Sequence, residues 1–94
     1  MKTGFVYILS NKNRTVLYIG ATGDLKKRIE LHVLGKATVF TKKYSVNELL
    51  YFEEFQDYHD AFLREKQLKN WRKEWKWHLI ELKNPELKNL YLEL

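Results

Sequence analysis

Two short apolar runs, Phe5-Val-Tyr-Ile-Leu9 and Val16-Leu-Tyr-Ile-Gly20, flank the polar stretch Asn11-Lys-Asn-Arg14. Aromatic and β-branched residues on either side of a turn-forming segment predict a β-hairpin. With the turn centred between Lys12 and Asn13, residues whose numbers sum to 25 face each other, so Tyr7 opposes Tyr18 and both phenols leave one face of the sheet. Thr22-Gly-Asp24 then reads as a helix start, and Leu25, Ile29 and Val33 form the buried stripe of a helix that stops near Gly35. That helix carries Arg28 and His32 four residues apart on one flank. Lys36 to Ser45 is polar, basic and without period, which predicts a loop, and Leu49-Leu-Tyr-Phe52 supplies a third strand apolar on both faces. Asp57 caps a long helical segment from about Tyr58 to Leu82, broken between Lys69 and Arg72. Asn84-Pro85 predicts a terminal helix with Asn as cap and Pro in the first turn.

These elements predict an α+β domain, a small three-stranded antiparallel sheet flanked by helices, and the 94 residues suffice for one such domain spanning 1–94. The chain has no cysteine, so disulfides, thiolate metal sites and a thiol nucleophile are excluded; a metal would rest on oxygen or imidazole. The opening Met-Lys-Thr leads into a strand pattern rather than a leader, and no apolar run approaches the ~20 residues that span a bilayer, so a soluble, cytoplasmic protein without a membrane partner is expected.

Charge is distributed unevenly. Residues 1–44 hold nine basic against two acidic side chains, residues 45–63 hold five acidic and no basic ones, and residues 64–94 hold eight basic against five acidic. A basic front half fits a polyanionic partner, although a solvated helix face carrying Lys26, Lys27 and Lys36 accounts for part of it. The acidic segment reads as a strand end turned away from such a partner, or as a surface for another protein.

Glu65 is out of place. On a helical wheel Tyr58, Ala61, Phe62 and Leu68 define an apolar arc, and Glu65 falls inside it. A carboxylate aimed at a core must be paired, protonated or bound to a cation, and Arg28, Arg72, a lysine or a divalent metal are the available partners. Trp71 and Trp75, four residues apart, are expected in the core, with Trp77 exposed among Arg72, Lys73 and Lys76. His59 and His78 share no ligand spacing and are assigned to the surface.

The order Tyr7, Tyr18-Ile19-Gly20, Arg28, His32, Glu65 and Asn84 resembles the GIY-YIG nuclease family, in particular its small stand-alone bacterial members, with Phe40-Thr-Lys-Lys-Tyr44 and Arg64-Glu-Lys-Gln-Leu-Lys69 in corresponding places. The resemblance runs from about Gly4 to Leu90. Phe5 and Val6 replace the glycine and isoleucine of the first motif while its tyrosine is kept, Ala21 stands where some relatives carry a lysine, and Leu87 where the nearest carry tryptophan.

What the resemblance implies is metal-dependent hydrolysis of phosphodiester bonds in nucleic acid, DNA ahead of RNA, giving 5′ phosphate and 3′ hydroxyl ends. Arg28 would hold a non-bridging phosphate oxygen and Glu65 one Mg²⁺ or Mn²⁺. Tyr7 would serve as base or water-positioner with Tyr18 assisting, and His32 is the rival base. Lys27, Lys42, Lys43, Tyr44, Lys69 and Asn84 are the expected nucleic-acid contacts, with plain capping by Asn84 and plain packing by Tyr44 as open alternatives. A non-catalytic nucleic-acid-binding module on the same scaffold is the alternative function. A monomer or weak homodimer is expected, and the pathway is open among repair, processing and defence.

Overall fold

The hairpin forms, but in a different register from the one a tight turn would give. In the computed structural model, which describes residues 3–94, β1 (Gly4–Ser10) and β2 (Leu17–Thr22) pair antiparallel with Tyr7 opposite Gly20 and Leu9 opposite Tyr18. The connection is a longer loop closed by Asn11, whose Oδ1 accepts from Thr15 N (2.9 Å) and Val16 N (3.0 Å). Arg14 takes φ +59° within it. Facing residues therefore sum to 27 rather than 25. The shift is even, so parity is preserved: Tyr7 and Tyr18 still share a face, now as diagonal neighbours within reach of aromatic side chains.

β3 (Glu48–Phe55) pairs antiparallel with the other edge of β1, giving the order β2-β1-β3 with β1 central. Between Ile8 and Leu9 the β1–β3 register shifts, Ile8 facing Tyr51 and Leu9 facing Leu49. This bulge lets Leu50 and Tyr51 serve the same core. One face packs Val6, Ile8, Ile19, Leu50 and Tyr51 against Leu68 and Ile80, which come from α3 (Tyr58–Lys69) and α4 (Lys73–Lys83). The opposite face packs Tyr7, Leu9 and Leu49 with Val46 against Leu25 and Ile29 of α1 (Leu25–Val33). Covering both faces of so small a sheet is what makes its central strand almost wholly inaccessible.

Asp24 caps α1 by accepting from Lys27 N, and beyond the helix Gly35 takes φ +72°, the backbone region that favours glycine. The buried stripe runs Leu25, Ile29, His32 instead of ending on Val33, which is half exposed. The final step is three residues rather than four because His32 finds polar partners inside. The segment expected as a loop contains a short helix, α2 (Val39–Lys43), started by Thr38, whose Oγ1 accepts from Thr41 N at 3.0 Å. Five residues are too few to show a period, so only the cap marks it.

The long helical segment breaks at Asn70–Arg72 as expected. That break also changes the tryptophan assignment: Trp71 packs against the core as expected, while Trp75 and Trp77 exchange places. Trp71 lies before α4, so Trp71 and Trp75 do not share a continuous helical face. Trp75 is 52% exposed, while Trp71 and Trp77 are partly buried against the core. The terminal helix expected at Asn84-Pro85 does not form. Asn84 closes α4 and begins a turn in which Leu87 N donates to its carbonyl (3.0 Å). Its buried carboxamide donates to Leu50 O (3.0 Å) and Lys88 O (2.9 Å) and accepts from Lys88 N (3.0 Å). The capping oxygen and both amide hydrogens are thus spent on fastening the chain end to β3. Regular structure resumes as a 3₁₀ turn at Leu90–Glu93.

Candidate active site

Tyr7 is the hub. Its ring crosses from the central strand over Gly20 of the edge strand, and a methyl at Gly20 would fall onto the phenol oxygen. The glycine therefore gives Tyr7 its path to the β2 edge. There the phenol oxygen accepts from Arg28 Nε (3.4 Å) and lies 2.9 Å from His32 Nε2. The helical spacing of Arg28 and His32 delivers both side chains to one oxygen atom.

His32 is fixed from its other side: Nδ1 lies 3.1 Å from Thr41 Oγ1, which in turn lies 2.7 Å from Thr38 Oγ1. Thr41 is buried, and α2 exists in part to put it there. No periodicity announces Thr41 in the sequence; the signal was Thr38 three residues before it, the spacing of a hydroxyl cap. Tyr18 completes the cluster, its ring 6.4 Å from that of Tyr7 and 5.4 Å from His32.

Burial holds Tyr7 and His32 neutral. Burial pushes the Tyr7 phenol up to about 12, against the opposing pull of the Arg28 guanidinium. Burial, with Arg28 nearby, lowers the His32 imidazole to about 4. Hydrogen bonding to Tyr7 raises Arg28 further, so it is a fixed cation. Among the described residues Arg28 has no carboxylate partner, an unusual condition for a half-buried arginine.

Glu65 reaches the same region from α3, near enough to add its charge to the field at Tyr7. It is largely buried and pairs with Lys69 Nζ at 2.8 Å. Among the described residues no group of three or more His, Asp or Glu forms a cage for a metal ion. The donor set still fits Mg²⁺ or Mn²⁺. A hard cation that keeps most of its waters needs only one protein carboxylate, and the ammonium of the half-exposed Lys69 already stands in for a cation on Glu65.

Of the remaining residues expected at the site, Lys69 lines a cleft with Tyr18 beside the cluster. Lys43 and Tyr44 lie together at the end of α2, with Lys43 Nζ 5.4 Å from the Tyr44 ring centre. Lys27 and Lys42 are exposed on α1 and α2. Asn84 is engaged with backbone groups of β3 and the chain end. His59 and His78 are exposed.

A model of the GIY-YIG catalytic domain matches residues 3–86. The chain belongs to the GIY-YIG family. A UPF0213 protein of Clostridium perfringens is 34% identical over 90 residues, covering 96% of both chains. One of Oceanobacillus iheyensis is 32% identical over 82 residues, covering 87% of this chain and 94% of its own. Among solved structures, the solution structure of a UPF0213 protein from Bacillus halodurans superposes with a TM-score of 0.58 at 29% identity, covering 93% of this chain and 92% of that one. The relatives' names carry no activity; the domain family is one of nucleases.

Within this GIY-YIG domain the altered first motif is a packing change. Val6 is fully buried in the α3/α4 core and Phe5 packs on the other face, while Tyr7 and the Gly20 beneath it retain the geometry that the site requires. Among the described residues no helix is long and apolar enough to cross a membrane.

Proposed function

We propose that this GIY-YIG domain is a metal-dependent endonuclease that hydrolyses phosphodiester bonds, with Tyr7, Tyr18, Arg28, His32 and Glu65 as its catalytic residues and DNA ahead of RNA as substrate. The observation that carries the reading is Arg28: a permanent cation beside a buried phenol and without a carboxylate partner among the described residues. Such a guanidinium is an anion site awaiting an anion.

In this reading the terminal nitrogens of Arg28 take a non-bridging phosphate oxygen while Nε keeps Tyr7 in place. His32 carries its proton on Nδ1, donating to Thr41, so that Nε2 accepts from the Tyr7 hydroxyl. The Tyr7 oxygen then takes a proton from the attacking water as its own proton moves to His32 Nε2. A concerted transfer avoids both a free phenolate and a separate imidazolium step, each of which burial disfavours. The arriving phosphate offsets the Arg28 charge and so eases protonation of His32. Tyr18 orients the water from the neighbouring position on the sheet face. A divalent cation on Glu65, Mg²⁺ or Mn²⁺, supplies when bound the Lewis acidity that relieves charge on the leaving 3′ oxygen. Lys43, Tyr44 and Lys69 contact the nucleic acid, Lys27 and Lys42 add to the attracting field, and Asn84 serves the fold.

The test is cleavage of labelled single-stranded, duplex and branched DNA and RNA at low salt, with Mg²⁺, Mn²⁺ or EDTA, comparing wild type with Glu65→Gln. Metal-dependent cutting lost in the variant is expected. Binding without cutting under every metal would replace this reading with the non-catalytic module.

A further inference from the structure

A line of aromatic rings leads out of the catalytic cluster. Tyr18, beside Tyr7 and His32, stacks with Phe40 of α2 at a centroid distance of 6.2 Å and an interplanar angle of 27°. Phe40 in turn meets Tyr44 at 4.9 Å. Phe40 is 43% exposed and Tyr44 45% exposed, and for Phe40 no polar atom offsets that exposure. The core does not need these two rings, since neither belongs to either packed cluster.

The surroundings are cationic. Phe40 and Tyr18 border a cleft of about 280 Å³ together with Leu17, Ile19, Lys69 and Lys76. On the far side Lys43 lies over the Tyr44 ring. Flat apolar rings interleaved with ammonium groups complement a strand that alternates flat bases with phosphates. A base inside a duplex has both faces covered by its neighbours and offers none to a protein ring; a base outside one does. We infer that Phe40, with Tyr18 and Tyr44, forms a nucleobase-stacking subsite, and that the strand to be cut is unpaired where it enters the catalytic cluster. This rests on the nuclease reading and names its substrate class.

The experiment measures binding and cutting separately, using one sequence as single strand and as blunt duplex, with 2-aminopurine at successive positions. Binding is followed by 2-aminopurine fluorescence in EDTA, where no cleavage is expected, for wild type, Phe40→Ala and Phe40→Trp. Cleavage of both substrates is then compared in Mg²⁺ and Mn²⁺. The inference predicts tighter binding and faster cutting of the single strand. It also predicts a roughly 5- to 150-fold loss of single-strand affinity in Phe40→Ala, the worth of one stacked base, with duplex affinity unchanged. Phe40→Trp should retain the affinity. Cleavage indifferent both to pairing and to Phe40 overturns the subsite while leaving the nuclease. Phe40-dependent stacking with no cleavage in any metal keeps the subsite as a binding site and overturns the nuclease. Absence of binding to either form overturns both.

Discussion

Tyr7 and Tyr51 sit on opposite faces of one sheet, 1% and 2% exposed, each beside an arginine. Around Tyr51 the chemistry is closed. Its hydroxyl donates to Glu53, and Arg64 grips the same carboxylate with Nε and a terminal nitrogen, both at 3.1 Å, while its guanidinium covers the Trp71 ring. Around Tyr7 the arginine has a phenol and, among the described residues, no carboxylate, and the phenol leads to a histidine and two threonines. Each face buries a tyrosine beside a cation; on one the cation is paired with a carboxylate of the chain, and on the other with the phenol. The difference separates an ion pair that fastens α3 to β3 from the arginine to which the proposed reaction assigns the phosphate.

The widest expected gap lies between the two tyrosines. Tyr7→Phe should lower cleavage by about 10²–10⁴-fold, the scale of a lost acid–base group, and also cost about 1–3 kcal/mol of stability, since the lost hydroxyl is the partner of His32 Nε2 and Arg28 Nε. Tyr51→Phe should leave cleavage per folded molecule intact and cost about 1.5–3 kcal/mol, one hydrogen bond to a charged acceptor. Equal loss of cleavage in both variants would break the comparison.

Asn84 sharpens the closed side. Asn84→Asp removes two amide donors and turns a carboxylate toward the carbonyls of Leu50 and Lys88, so equilibrium unfolding should report a loss of about 2–3 kcal/mol, with cleavage at saturating substrate retained. An unchanged midpoint would show that the carboxamide does not fasten β3.

A smaller effect belongs to His32 on the open side. Its folded-state value is lowered to about 4 from 6.5. Between those values the unfolded chain takes up a proton that the folded one refuses. The stability tied to a neutral His32 is therefore full above pH 6.5 and falls as pH drops toward 4, by about 1.4 kcal/mol per unit at most. Urea titrations at pH 7 and pH 5 should show a shallower loss for His32→Gln than for wild type; identical slopes would mean that His32 is protonated in the fold.

Smallest is Trp75→Ser, which should cost about 1 kcal/mol because the ring is half exposed and meets Trp71 and Arg72, whereas Trp77→Ser should cost more.

Much of this was legible in the sequence because it is local. Strand parity put Tyr7 and Tyr18 on one face even though the register differed, and helical spacing put Arg28 with His32. Asp24 and Asp57 marked helix starts that the structure retains. The features that escaped are either local side-chain closures without a hydrophobic period or contacts with tertiary partners. The hairpin register rests on the Asn11 carboxamide closing a long loop, and α2 on a hydroxyl cap over five residues. Asn84-Pro85 has the local form of a helix start, but its carboxamide is claimed by Leu50, 34 positions away. Thr41 is tied to His32 only through the fold. Glu65 was recognisable as misplaced on its helix, and its partner proved to be Lys69.

In the proposed reaction the working arginine is Arg28, which has no carboxylate partner among the described residues, and not Arg64. The most direct test of that role is single-turnover cleavage of the best substrate, alongside equilibrium unfolding, for Arg28→Gln and Arg64→Gln. Arg28→Gln should cut about 10²–10³-fold more slowly, as when one transition-state donor is removed, with its stability kept. Arg64→Gln should lose stability, with the cleavage rate of its folded fraction kept. Cleavage that survives Arg28→Gln, or that falls equally in both variants, would contradict the role of Arg28.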